Sequence, residues 1–246
     1  RDDVESRGLG DVYKRQEMNR TVWSKYDIMT VGEGSGETAD QLALFVEPDR
    51  EELNMLYGFG PAQVRNTTKP DSPYTGIPYS LIALKKMFTL WDQAVGKGWP
   101  SIYLGNHDQP RICSSVEREC DLVNYTAFLY FLKGTTLIYA GQEFENSHLP
   151  SLFEREPIDR DTGRDMSALL ARLHGIKRRF GCADYFVASA DDEHNIAVLE
   201  RGGDGKRFFG VFSLRSECAE VKIEAPDGEY ENLIDSSRVT VKDSRI

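Results

Sequence analysis

The spacing of apolar and polar residues changes character once along this chain. Up to about residue 185, short apolar runs alternate with segments whose apolar residues recur at helical spacing. The apolar runs, typical of strands buried on both faces, occupy residues 27–32, 53–59, 101–104 and 136–140. Helical spacing occurs at residues 18–25, 79–95, 122–132 and 168–180. Strands that alternate with helices predict a parallel sheet covered by helices.

Beyond residue 185, short runs of alternating apolar and polar residues take over. They are separated by the turn-forming sequences GGDG, SEC, PDG and DSS, and they lie at residues 195–200, 207–214, 219–223, 229–234 and 239–241. Alternation of this kind predicts antiparallel strands with one face in a core. We therefore expect part of an α/β domain at residues 17–185 and an antiparallel β domain at residues 186–246.

The two ends of the chain differ from the segments beside them. Residues 1–16 are charged and have no apolar period, and their run SRGLGDVYKRQ resembles a translated sequencing-adapter remnant. We predict a non-native tail there, with a native frayed terminus as the alternative. At the other end, residues 229–246 alternate as a strand pair would and then stop. This suggests that the β domain is truncated.

Composition and net charge indicate which kinds of partner and location the chain favours. The formal net charge of -10 disfavours nucleic acid and anionic membrane surfaces, so a neutral substrate is expected. No run of about 18 apolar residues occurs, which argues against a spanning helix. The four cysteines form no C-x-x-C pair, which favours reduced thiols and a cytoplasmic location. The sequence carries no indication of oligomeric state.

Two of the predicted buried strands lead into carboxylates. The strand at residues 27–32 is followed by Glu33, and the strand at 101–104 is followed by a segment that contains His107 and Asp108. Reactive groups of an α/β barrel collect where strands end, so both carboxylates are predicted to reach one pocket, as carbohydrate cleavage requires. A carboxyl group near other carboxylates and partly out of water retains its proton more readily. We assign this general-acid role to Glu33.

Two other kinds of site fit less well. The sequence GEGSGE imitates a dinucleotide-binding loop, but Glu37 replaces the third glycine and the carboxylate of Glu33 would repel a pyrophosphate. A zinc site at His107 and Asp108 would lack a third His or Cys at ligand spacing. We therefore predict neither a metal nor a cofactor.

Three motifs together carry a family resemblance. YDIMTVGEGSG, WPSIYLGNHDQPR and GTTLIYAGQEFENSHLP resemble the α-amylase family of glycoside hydrolases, family 13, and within it the oligo-1,6-glucosidase and α-glucosidase branch. The resemblance runs from residue 17 to the end of the chain. It implies an α/β fold, namely strands 5–8 of a (β/α)8 TIM barrel, followed by an antiparallel all-β C-terminal domain.

The resemblance also implies roles for individual residues. Glu33 matches the general acid/base, and Asp108 matches the carboxylate that stabilises the transition state. His107 is expected to bind a sugar hydroxyl beside that aspartate. Arg111, in the same NHDQPR motif, is expected to supply positive potential or a substrate contact.

Two aromatic residues and one missing motif complete the prediction. Tyr57 and Phe59, near the loop face, are expected to stack on sugar rings.

The family's nucleophile is an aspartate in a G-F-R-x-D-type motif, which the 246 residues do not contain. Retention needs two carboxylates about 5 to 5.5 Å apart, so we expect an inactive fragment of an α-glucosidase that acts on oligosaccharides. Half a barrel also leaves open edges of a parallel sheet, so we expect the fragment to fold poorly. A glucoside-isomerising transglycosylase and a non-catalytic binding or transporter subunit are the alternatives.

Overall fold

A computed structural model gives the fold of the chain, which its internal contacts divide into two units. The structure describes residues 9–33, 44–58, 98–116, 118–180, 185–191, 193–203, 205–215 and 217–246. The first unit comprises Arg1–Phe59, Met87–Ile102 and Lys133–Thr135. The second unit comprises Gly60–Lys86, Tyr103–Leu132 and Thr136–Ile246.

The first unit contains a parallel sheet. The elements whose bounds are described include helix α1 (Leu9–Thr21), a 3-10 turn at Trp23–Lys25, strand β1 (Val31–Gly32), a 3-10 turn at Pro48–Arg50, and strands β2 (Met55–Gly58) and β3 (Trp99–Ile102). Strand β1 pairs in parallel with β2, and β2 pairs in parallel with β3. Strand β4 (Thr135–Thr136) extends the order to β1-β2-β3-β4. Strands β1, β2 and β4 are shorter than the apolar runs that predict them, whereas β3 has the predicted four residues but begins two residues earlier.

Helix α1 runs through Gln16 without a break and begins well before the predicted helical segment at 18–25. Its sequence is rich in Lys, Arg, Gln, Glu and Met, which favour helix, although it has no apolar stripe. Polar contacts attach it instead: Arg15 Nε donates to Glu52 Oε2 at 2.7 Å, and Gln16 Nε2 donates to the Arg50 carbonyl at 3.0 Å. The non-native origin of residues 1–16 stays a prediction.

Among the described residues of the second unit, the helices are α2 (Ile112–Ser115), α3 (Glu119–Phe131) and α4 (Ser167–Arg179), with a 3-10 turn at Gln142–Phe144. Most residues of α3 are buried, and apolar side chains lie on all of its faces, as expected of a helix inside a core. Helix α4 begins at Ser167 and ends with a basic last turn, which the helix dipole favours. No helix among the described residues has the length and apolar character needed to cross a membrane.

The described part of the second unit also contains antiparallel strands. Strands β5 (Tyr185–Asp191), β6 (Ile196–Gly203) and β7 (Lys206–Ser213) form one sheet, and β8 (Gly228–Glu231) and β9 (Arg238–Val241) form a hairpin. The predicted run at 219–223 forms no regular strand. Val221 instead exchanges backbone hydrogen bonds with Ile246 at 2.9 and 3.1 Å, because the last residues of the chain return to cover it.

An aromatic cluster joins α3 to the antiparallel sheet. The rings of Phe128 and Phe131 each lie 5.8 Å from the ring of Phe212 in edge-to-face contact. Phe180, just after α4, stands 5.0 Å from Phe131. Such pairs contribute roughly 0.5–1.5 kcal/mol each beyond the burial of their area. The β strands thus pack directly on a helix of the α/β region.

Candidate active site

Glu33 is placed by the end of β1. Hydrogen bonds between Thr30 and Asn54 connect the residues that precede β1 and β2. The Thr30 amide and hydroxyl both donate to Asn54 Oδ1, at 2.9 and 3.0 Å, and the Asn54 amide donates to Thr30 Oγ1 at 3.0 Å. Glu33 comes one residue after the last pair of this ladder, Gly32 with Leu56. Its side chain is exposed rather than partly out of water, so its carboxyl group is accessible to a bound molecule.

The residue before Glu33 has to be small. A Cβ atom on Gly32 would lie 2.5 Å from Leu53 Cδ1 and 2.9 Å from Leu56 Cδ1, so glycine lets both leucines pack against the end of β1.

Of the two predicted stacking residues, Tyr57 lies on β2, half-buried and opposite Ser101. Phe59 is outside the described residues.

Asp108 and His107 lie in the turn that follows β3. The buried residues Tyr103 and Leu104 anchor the start of this segment, and Asn106 Oδ1 accepts a hydrogen bond from the Asp108 amide at 3.1 Å. His107 Nε2 lies 3.2 Å from Asp108 Oδ2, and the two side chains are 55% and 47% exposed. The backbone is therefore fixed while both polar groups remain accessible to a ligand.

Arg111 is buried three residues further on, at 3% exposure. Its Nε donates to the carbonyl of His148, and its guanidinium lies 4.6 Å from the centre of the Tyr139 ring. Both terminal nitrogens are buried, and neither has a hydrogen-bond partner among the described residues. A Cβ on Gly141 (φ +93°) would reach within 3.2 Å of Nη1 and 2.8 Å of Ile158 Cγ2, so this glycine makes room for the guanidinium.

A cavity of about 690 Å³ lies beside Arg111. Its charged lining comprises Arg111, Arg118, Glu119, Glu145, His148, Asp159 and Arg164. Opposite charges are partly paired, since Arg164 Nη1 stands 2.8 Å from Glu119 Oε2. The charges are mixed, so the cavity has no strong preference for an anion. No three metal-ligating side chains cluster anywhere in the described ranges.

One wall of this cavity is a loop that sequence reasoning missed, residues 146–159, here called the β4–α4 loop. Its apolar residues have no period, so nothing in the pattern indicates structure. Asn146 organises it: Oδ1 accepts from the His148 amide at 2.9 Å, and Nδ2 donates to the Asp159 carbonyl at 3.1 Å. Asparagine commonly closes turns in this way, which is the one local signal available.

The structure thus brings His107, Asp108 and Arg111 together in one segment of the second unit. Glu33 and Tyr57 belong to the first unit. The catalytic and substrate-binding roles of all five residues stay predictions at this point.

Comparison with known proteins identifies two adjoining matches. The family model "Alpha amylase, catalytic domain" matches residues 11–180. The model "Bacterial Alpha amylase C-terminal domain" matches residues 188–246. The first match begins within the predicted tail.

Two curated relatives and one solved structure show what the chain is similar to. An oligo-1,6-glucosidase of Parageobacillus thermoglucosidasius is 41% identical over 155 residues, 58% of this chain and 27% of the relative. A trehalose-6-phosphate hydrolase of Bacillus subtilis is 33% identical over 138 residues, 52% of this chain and 24% of the relative. The match spans about a quarter of the length of these relatives. A solved α-amylase from Lactobacillus plantarum superposes with a TM-score of 0.74 at 21% identity, over 95% of this chain and 57% of the other.

These findings confirm the predicted family and fold class: barrel strands and helices come first, and an antiparallel all-β domain follows. The C-terminal model begins at residue 188, close to the change in sequence pattern. On the match over residues 11–180, the chain belongs to the α-amylase family.

Proposed function

We propose that this protein acts as a retaining α-glucosidase on the α-glucosidic bonds of oligosaccharides. The observation that supports this most is the pair of exposed carboxylates, Glu33 after β1 and Asp108 after β3, in a chain of the α-amylase family. The C-terminal ends of barrel strands are where such enzymes place reactive groups.

In the proposed reaction Glu33 donates its proton to the glycosidic oxygen as the bond from that oxygen to the anomeric carbon breaks. An aspartate nucleophile forms the new bond to that carbon, and Glu33 then takes a proton from the water that hydrolyses the intermediate. The charge of Asp108 stabilises the oxocarbenium-like transition state. His107, beside Asp108, binds a sugar hydroxyl.

The remaining predicted site residues act on binding. Arg111 contributes positive potential from its buried position, and Tyr57 and Phe59 stack on sugar rings. The nucleophile motif G-F-R-x-D is not among the 246 residues. We therefore expect that the 246-residue chain alone forms no covalent intermediate and that the complete gene product does.

Hydrolysis is favoured over glucoside isomerisation, because three relatives that are 41%, 32% and 33% identical carry glucosidase or hydrolase names. A cleavable 1,6-linkage is favoured because the 41% identical relative is named an oligo-1,6-glucosidase. Accessible carboxylates at Glu33 and Asp108 favour catalysis over a non-catalytic binding subunit.

A cytoplasmic site of action is part of the proposal. Cys113, Cys120 and Cys218 are present as thiols, and reduced thiols are typical of the cytoplasm. The net charge of -10 suits a neutral sugar rather than an anionic polymer.

Glu33→Gln in the product of the complete gene tests the general-acid role. Departure of a sugar alkoxide needs a proton, whereas departure of fluoride needs little help. We expect kcat/KM for isomaltose to fall about 10²- to 10⁴-fold and kcat/KM for α-glucosyl fluoride to change far less. Glu51→Gln, at an exposed carboxylate of the same unit, serves as the matched control. Equal losses on both substrates in the Glu33 variant would contradict the acid role.

A further inference from the structure

The β4–α4 loop carries a large apolar side chain almost entirely in water. Phe153 is 93% exposed, and Leu152 beside it is 56% exposed. Single exposed hydrophobic residues are common on protein surfaces, so exposure alone does not indicate a site. The question is whether the loop is built to hold the ring in that position.

Hydrogen bonds on both sides of Phe153 hold the loop tip. Ser151 Oγ accepts from the amides of Phe153 and Glu154 at 3.2 and 3.1 Å. Glu156 Oε2 accepts from the Ser151 amide at 3.1 Å and from His148 Nε2 at 2.8 Å. The hydrogen bond from His148 lowers the pKa of Glu156, so the carboxylate is charged at neutral pH and accepts both bonds. The ring is thus presented on an ordered tip.

The same network reaches the segment that carries Asp108. His148, which binds Glu156 through its ring, accepts a hydrogen bond from Arg111 through its carbonyl. Arg111 lies three residues after Asp108, and Asn146 braces the base of the loop against Asp159. The position of Phe153 is therefore tied to the segment on which the proposed transition-state carboxylate sits.

We propose that Phe153 is a specificity-determining residue that stacks on the sugar released as the leaving group, and that Arg111 is the positioning residue that holds its loop. This inference rests on the proposed function. An aromatic face packs on the C–H face of a pyranose. The exposed polar side chains of Glu154 and Arg155 next to it suit the hydroxyl groups around such a ring.

The test compares two substrates of the complete enzyme. Isomaltose has a leaving-group ring and α-glucosyl fluoride has none. For Phe153→Ala we expect kcat/KM for isomaltose to fall roughly 3- to 10-fold, mainly through KM, and kcat/KM for the fluoride to stay within about twofold. Phe153→Trp should restore isomaltose hydrolysis, and Leu152→Ala, at the other exposed apolar side chain of the loop tip, is the matched control.

Arg111→Lys, which keeps the charge but loses the guanidinium fork, tests the positioning role. It should lower kcat/KM for isomaltose as Phe153→Ala does. The double variant should lose no more than either single variant, because both substitutions remove the same contact between the Phe153 ring and the sugar. Additive losses would contradict the positioning role.

The outcomes separate the two proposals. Equal losses on both substrates in Phe153→Ala, or no loss on either, would overturn the stacking role. A wild-type dimer that Phe153→Ala dissociates in sedimentation, with isomaltose kinetics unchanged, would assign the ring to a second copy of the chain. A wild-type enzyme that cleaves neither substrate would contradict the proposed function itself.

Discussion

Lys177 offers the sharpest test of the packing between α3 and its neighbours. Its Nζ donates to the carbonyl of Leu132 at 2.7 Å, just past the end of α3. Arg201 Nε, from β6, donates to the preceding carbonyl of Phe131 at 2.7 Å. Two cations therefore cap one helix C-terminus, where carbonyl groups need donors. Burial, assisted by the positive charge of Arg201, lowers the pKa of Lys177 to about 7.

This depressed pKa makes folding stability depend on pH. An unfolded lysine has a pKa of about 10.4, so between that value and about 7 the unfolded chain binds more protons than the folded chain. The free energy of unfolding then rises with pH, by up to about 1.4 kcal/mol per pH unit. From pH 7 to pH 9, Lys177 alone should add about 2 kcal/mol. Below pH 7 both states are protonated and the gain is absent.

Urea unfolding followed by circular dichroism at pH 7 and pH 9 measures this gain. Lys177→Met should lack about 2 kcal/mol of the rise that the wild-type chain has. Lys222→Met removes a lysine whose side chain is 73% exposed and should keep the full increase in the free energy of unfolding. Cysteines and chain termini titrate alike in both variants, so they cannot account for a difference between them. An equal rise in the Lys177 and Lys222 variants would refute the reasoning.

Two further predictions concern a backbone clash at Gly134 and an ion pair of Arg15. Gly134→Ala should lower the free energy of unfolding by about 2–4 kcal/mol, because φ is +112° and the new Cβ would lie 2.4 Å from the Pro100 carbonyl oxygen. Gly163→Ala, at φ +72° with open space around it, should cost only about 1–2 kcal/mol; equal costs in urea unfolding would contradict the clash. The alternative, that residues 1–16 are native, predicts that Arg15→Ala costs about 1.5–3 kcal/mol in the same assay, because it removes a donor from the fully buried Glu52 carboxylate. No change would support the view that residues 1–16 are foreign.

The sequence predicted those parts of the fold that repeat a local pattern. Helices α3 and α4 lie within three residues of the predicted segments 122–132 and 168–180, because apolar residues along a helix, on one side in α4 and on all sides in α3, are a local record of burial. Strands β1, β2 and β4 were predicted in the right places but too long, and β3 was predicted with the right length but two residues too late. An apolar run records burial, whereas strand ends depend on the length of the neighbour that pairs with them.

The parts that sequence reasoning missed depend on contacts between distant residues. Lys177 and Arg201 reach carbonyls 45 and 70 residues away, and no local pattern records such pairs. The strand at Tyr185–Asp191 was missed because its alanines and serine have low strand propensity. The accessible carboxylates of Glu33 and Asp108 were found because strand ends and motif spacing are local. The loop that presents Phe153 was not, because side chains rather than a repeating pattern organise it.

The central claim, that Glu33 is the acid/base of a retaining glycosidase, is tested most directly by azide rescue of Glu33→Ala in the complete enzyme. With α-glucosyl fluoride the glycosyl-enzyme intermediate still forms, since fluoride leaves without an acid. Azide then attacks without needing a base, from the face that water would use. The account predicts α-glucosyl azide, identified by proton NMR, and an increase in rate with azide concentration. β-Glucosyl azide, or no azide product at all, would contradict it.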